Sequence, residues 1–239
     1  MTRLTARGGD EFDTTSLTAS GHGYRVHRDY AAHFFRWGWV ARQLDRTMSV
    51  LEVGCGTDYP FVKVAEAYPN QLPARYVGVD LNRLVHPPDR KWTTFHGSFN
   101  FVERHAELDQ FDRVICLEVI EHMLPAHGAS LLGAIHSHLK PGGKLYLSTP
   151  VFNGRAARNH IHEYTVPELR ATIEAAGLTV EKRFGTFASR RDLARVAAPE
   201  HLYLLDLIGE FYAADVTACF LAPLYPDASR NNLWVCGRE

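Results

Sequence analysis

The chain has no surplus of charge, no paired-cysteine motif and no apolar run long enough to cross a bilayer. Lys and Arg number 26 against 27 Asp and Glu in 239 residues, a formal net charge of −1. A strong non-specific hold on a phosphate backbone needs excess cations, so a nucleic-acid partner is not favoured. Arg155, Arg158, Arg183, Arg190, Arg191 and Arg195 give the carboxyl half local positive character and leave that acceptor open. Cys55, Cys116, Cys219 and Cys236 are far apart and form no C-x-x-C pair. That pattern reads as reduced thiols in a cytoplasmic protein, not as a disulfide framework or a zinc site. No segment approaches the ~20 apolar residues of a membrane span. The amino terminus, MTRLTARGGDEFDTTS, lacks an apolar signal core. Hydrophobic residues make up 46%, enough to exclude disorder as the main state.

Residues 1–20 read as a flexible polar leader, and residues 21–239 as one domain. Between Tyr24 and Arg46 the pattern is helical and aromatic, with Tyr30, Phe34, Trp37 and Ala41 spaced to share a face. From Ser49 onward, short β-rich runs alternate with helical stretches. Strands are expected at Ser49–Val53, Arg75–Val79, Trp92–His96, Phe111–Leu117, Lys144–Ser148, Thr179–Phe187 and Asn232–Cys236. Helices are expected at Phe61–Tyr68, Ala129–Leu139 and Val166–Ala176. Near-continuous apolar strands separated by helices imply a mostly parallel seven-stranded sheet, doubly wound and Rossmann-like, covered on both faces. An amino-terminal helical lid precedes it, and a cap insertion at about 188–227 interrupts it.

The most informative stretch is Val50-Leu51-Glu52-Val53-Gly54-Cys55-Gly56-Thr57-Asp58. A buried strand ends here in a tight turn, where Gly54 and Gly56 let the backbone approach a ligand. Asp58 is placed to cap the following helix, and Pro60 suits its first turn. A dinucleotide fingerprint would need glycine at position 59, which is Tyr59, and the Walker Gly-Lys-Ser/Thr is absent. Glu52 beside the loop suits a ligand with a cationic portion. Asp80 ends the second strand, and a carboxylate at that tip can accept both hydroxyls of a ribose.

The runs VLEVGCGTD, YVGVDLN, FDRVICLEVIEHM and LKPGGKLYLSTP, in that order, resemble class I S-adenosylmethionine-dependent methyltransferases over roughly Ser49–Thr186. The resemblance implies S-adenosylmethionine as cofactor. By it, Glu52, Gly54, Cys55 and Gly56 line the methionine end, Asp80 binds the ribose, Leu81 packs on the adenine, Ser98 and Phe99 meet the adenine edge, and Leu117 lies at the mouth where the methyl group is presented. The chain departs from the family's G-x-G-x-G at Asp58. The EVIEH run is similar to ubiquinone-biosynthesis O-methyltransferases, some of which need a divalent metal near these acids.

Methyl transfer to a hydroxyl requires positioning and removal of a proton. His122 and Glu118 are the catalytic candidates, four residues apart and on one face if the segment starts a helix. His160 and His162 form a His-x-His pair with no third ligand indicated, so no metal is expected. Thr165 and Glu168 read as a capping box. His162 and Tyr164 are candidate substrate contacts, as are Tyr24, Arg25 and His27 in the lid. The expected acceptor is a small molecule, methylated on oxygen. A nucleobase or protein acceptor is the alternative, and a non-catalytic cofactor-binding partner is the rival from another class. The apolar segment Leu202–Tyr225 is either an acceptor pocket or a homodimer interface.

Overall fold

The computed structural model describes residues 4–5, 11–12, 28–212 and 214–239. Seven strands form the central sheet: β1 Ser49–Val53, β2 Arg75–Val79, β3 Thr93–His96, β4 Phe111–Leu117, β5 Leu139–Pro150, β6 Thr179–Phe187 and β7 Asn231–Gly237. Their order is β3-β2-β1-β4-β5-β7-β6. The first five run parallel, and β7 inserts antiparallel between β5 and β6. A short antiparallel pair joins Leu4–Thr5 to Glu11–Phe12, and the rest of the expected leader lies outside the described residues.

The helices are α1 Arg28–Ala41, α2 Pro60–Ala65, α3 Phe101–Arg104, α4 Pro125–His138, α5 Val166–Ala175, α6 Arg190–Leu193, α7 Pro199–Gly209 and α8 Ala214–Leu221. Alternate residues of β1 face opposite ways. Leu51 and Val53 join a core with Leu131, Ile135, Leu169 and Ile173 of α4 and α5. Val50 joins a second core with Val40 of α1 and Phe61 of α2. The sheet is therefore buried on both faces, as parallel strands require. All four cysteines are buried free thiols, and no helix among the described residues is long and apolar enough to cross a membrane.

Helix α1 corrects the expected face. Ala32, Arg36 and Val40 form the buried row, whereas Phe34 is 56% exposed. The aromatic spacing picked a flank of the helix, because the buried row carries an arginine at its centre. The cap is built from α6, α7, α8 and two 3-10 turns, and its small core joins Leu193, Leu205, Ala218 and Leu221.

Candidate functional site

The turn after β1 is built for close approach. Gly54 (φ +78°) and Gly56 (φ +69°) take left-handed backbone that L side chains rarely adopt. A Cβ on Gly54 would sit 2.4 Å from Val119 Cγ2, whereas one on Gly56 would meet only Pro60 Cδ at 3.7 Å. Asp58 does not cap α2. Tyr59 holds that position, with left-handed φ +53° and no side-chain cap bond. Its hydroxyl donates to Val85 O, which ties the turn to the loop after β2.

Asp80 is buried at the tip of β2. Its Oδ2 accepts from Gly56 N at 2.9 Å, and its Oδ1 accepts from Asn82 N at 2.8 Å and Asn82 Nδ2 at 2.9 Å. Ser98 N donates to Asn82 O and Phe99 N to Asp80 O, so the loops after β2 and β3 are zipped together. Leu81 stands on this rim with 72% of its surface exposed, an apolar platform. Ser98 is exposed, and Phe99 is buried under the Arg104 guanidinium. Glycine cradle, carboxylate and apolar platform fit a nucleoside with an amino-acid tail. The fit weakens at Glu52. It is buried and accepts the Tyr76 hydroxyl, and burial pushes its pKa up to about 8. Burial therefore disfavours the free carboxylate expected beside the loop. Cys55 and Leu117 are buried walls, not exposed contacts.

The EVIEH segment is not a helix start, which corrects the expectation that Glu118 and His122 share a face. Glu118 has φ +59°, and only Ile120–His122 forms a single 3-10 turn. Glu118 turns toward the ends of β5 and β7. Its carboxylate accepts from Ser148 Oγ at 2.6 Å and from Asn231 Nδ2 at 3.0 and 2.9 Å, and lies 3.7 Å from Arg36 Nη2. Arg36 reaches in from α1 with only 2% of its surface exposed. It also donates to Thr186 Oγ1, Asn231 Oδ1 and His33 Nδ1. Burial alone would raise the Glu118 pKa, but Arg36, His33, Ser148 and Asn231 outweigh it and hold the carboxyl below its ordinary value. Burial, then Arg36, lower His33 to about 4. A carboxylate this fully engaged organises the site and is a poor base. Sequence reasoning missed Arg36 and Asn231; the signal was the row Ala32, Arg36, Val40, spaced by four.

His122 points the other way and is exposed. Its Nδ1 lies 3.1 Å from Asn159 O. A carbonyl only accepts, so Nδ1 carries the proton and Nε2 keeps its lone pair. Glu121 is fully buried, and burial and then Glu118 push its pKa well up. Its Oε2 accepts from Thr149 Oγ1, while Oε1 is buried with no hydrogen-bond partner among the described residues. His160 Nδ1 lies 2.6 Å from Glu163 Oε1. Ligating atoms of Glu121, His122 and His160 come within 4.8 Å of one another. This trio suits a divalent cation only in place of His122 acting as a base, since both uses need the one Nε2 lone pair; Glu163 would orient His160 from behind, whereas Glu118 is taken by Arg36 and Asn231. The third ligand lies 38 residues beyond His122, so it was not visible in the EVIEH run.

His162 Nε2 pairs with Glu168 Oε1 at 2.7 Å. The Thr165–Glu168 capping box is present. Tyr164 is corrected as a substrate contact: it is buried in the α4–α5 core, its hydroxyl against Gly128. Tyr24, Arg25 and His27 lie outside the described residues.

A family model described as "Methyltransferase domain" matches residues 26–197. A ubiquinone biosynthesis O-methyltransferase of Aeromonas salmonicida is 32% identical over 113 residues. That match spans 46% of this chain and less than half, 44%, of the relative. Among solved structures, a Burkholderia thailandensis 1,6-didemethyltoxoflavin-N1-methyltransferase, with its acceptor and S-adenosylhomocysteine bound, is 20% identical. Its TM-score is 0.55, over 94% of this chain and 86% of that one. An S-adenosylmethionine-dependent methyltransferase from Archaeoglobus fulgidus is 15% identical with a TM-score of 0.59, over 89% and 95%. Both share the fold. With the glycine cradle and Asp80 in place, the chain belongs to the methyltransferase-domain family, in the class I S-adenosylmethionine-dependent group.

Proposed function

We propose that the protein transfers a methyl group from S-adenosylmethionine to an oxygen of a small-molecule acceptor. The observation that carries this reading is the joining of two halves at the carboxyl ends of the strands: the Gly54–Gly56 turn with Asp80, and the His122 imidazole with an unblocked Nε2. The O-methyltransferase relative supports oxygen as the acceptor atom. When bound, the cofactor supplies an electrophilic methyl on a sulfonium.

The chain's own residues do the rest. Gly54 and Gly56 admit the amino-acid tail, Asp80 holds the ribose, and Leu81 covers the adenine. His122 Nε2 takes the proton from the acceptor hydroxyl as the new bond to oxygen forms, while Asn159 O fixes the ring. Glu118 holds α1 against the ends of β5 and β7 and stays ionised.

The test supplies methyl-labelled S-adenosylmethionine and a cell extract, then separates small molecules, nucleic acid and protein. Label in the small-molecule fraction, stable to base as an ether, is expected. Asp80→Ala should abolish cofactor binding, and His122→Ala should lower transfer while leaving S-adenosylhomocysteine affinity intact. Label confined to nucleic acid or protein would overturn the acceptor assignment. His122→Ala with unchanged transfer would remove the base.

A further inference from the structure

The loop after β5 packs against the EVIEH turn. Its two ends are tied where Val151 bridges to Tyr164 and Phe152 N donates to Tyr164 O. Ile161 N and His162 N both donate to Glu121 O, which fastens the loop to the turn. Within it, His160 N donates to Ala157 O, so Arg158 and Asn159 are the corner residues of a four-residue turn. Asn159 O is the atom that holds His122 Nδ1. Arg158 therefore stands next along the chain to the contact that fixes the base.

The loop is cationic, and no acid answers it. Residues 151–162 contain Arg155 and Arg158 and no Asp or Glu. Both arginines are exposed, and neither has an ion pair or hydrogen bond among the described residues. The acids of the EVIEH turn and of the segment after the loop are engaged elsewhere. Glu118 faces Arg36, and Glu121 is fully buried. Glu163 is buried and takes its bonds from Ala157 N and His160, and Glu168 faces His162. The chain as a whole has a net charge of −1, so this excess is local to the base. A guanidinium is a planar fork of donors that matches a carboxylate or phosphate with two parallel bonds. A cation near the acceptor hydroxyl also favours its ionised form, in the same sense as proton removal by His122.

We propose that the acceptor is an anionic small molecule, whose carboxylate or phosphate group binds Arg155 and Arg158 while its hydroxyl faces His122 Nε2. This rests on the methyl-transfer reading above and adds to it the charge of the substrate.

The small-molecule fraction labelled from methyl-labelled S-adenosylmethionine and cell extract is passed over an anion exchanger at pH 7. Retention of the labelled product is expected. Loss of retention after alkaline phosphatase assigns the anion to a phosphate monoester, and retention that survives the phosphatase and disappears after methyl esterification assigns it to a carboxylate. The purified acceptor then serves for kinetics. Arg155→Glu with Arg158→Glu should raise its KM at least about 10-fold, with S-adenosylhomocysteine affinity unchanged as evidence of folding. Arg155→Lys with Arg158→Lys keeps the charge and should lose less. Added salt should raise the wild-type KM and hardly move that of the charge-reversed chain. A labelled product that is neutral or cationic would overturn the proposal and leave methyl transfer to oxygen standing. So would an anionic acceptor whose KM ignores the charge reversal. A small-molecule fraction without label would overturn the methyl-transfer reading itself, and this proposal with it.

Discussion

Replacing Arg36 by leucine removes the positive charge that faces Glu118 at the centre of the site. The guanidinium is almost fully buried, while the Glu118 side chain keeps 22% exposure. Breaking a buried pair by deleting one partner costs about 3–5 kcal/mol, because the remaining charge is left uncompensated. Residual solvent access to Glu118 lowers this to about 2–4 kcal/mol. For a chain of this size each kcal/mol moves the melting temperature by about 2–4 °C, so Arg36→Leu should melt about 4–16 °C lower. Thermal unfolding followed by circular dichroism at pH 7 measures it. The companion variant Glu118→Gln removes the charge but keeps an acceptor for Ser148 and a group for Asn231 to bond. The double variant should then be more stable than the sum of the two losses predicts, by about 1–3 kcal/mol of coupling. A drop of less than about 1 kcal/mol, or strict additivity, would refute the view that Arg36 is there to balance Glu118.

Three further outcomes follow from the same geometry. Gly54→Ala forces a left-handed residue and a Cβ 2.4 Å from Val119, so S-adenosylhomocysteine binding by calorimetry should be lost; retained affinity would show that the turn adapts. His33 is held at about 4 in the folded chain against an ordinary 6.5. The unfolded chain therefore takes up that proton first as pH falls. The stability His33 contributes is complete above pH 6.5 and drains away toward pH 4, and His33→Gln should flatten that part of the stability-versus-pH curve. Zinc or manganese should raise the melting temperature of the wild type but not of His160→Ala; an equal response in both would dismiss the Glu121–His122–His160 trio as a metal site.

What the sequence made legible follows from locality. Strand β6 could be read to the residue, because β-propensity needs only a short run and Gly177 marks where the preceding helix stops. The glycine turn and Asp80 were also legible, since each function is carried by a short run. The centre of the site was not. Glu118 looked like the first residue of a helix with His122 one turn on. Its side chain instead turns toward Asn231, 113 positions away, and Arg36, 82 positions away. No local pattern encodes which way such a residue faces. The packing face of α1 was misread for a related reason: aromatic spacing marked Phe34, but the row that packs is the one carrying Arg36. His160 reached the EVIEH turn only through the fold of the loop after β5.

The insertion of β7 between β5 and β6 also bears on synthesis. Asn231, which grips both oxygens of Glu118, is the first residue of the final strand. On the ribosome, β1 to β5 can pair in order as they emerge, and with them the glycine turn and Asp80. The gap between β5 and the edge strand β6 stays open until that last strand has threaded between them. A nascent chain thus acquires the cofactor cradle long before it can align α1 over the methyl-transfer site. The pairing that completes the site is among the most non-local in the molecule, and therefore among the slowest to form.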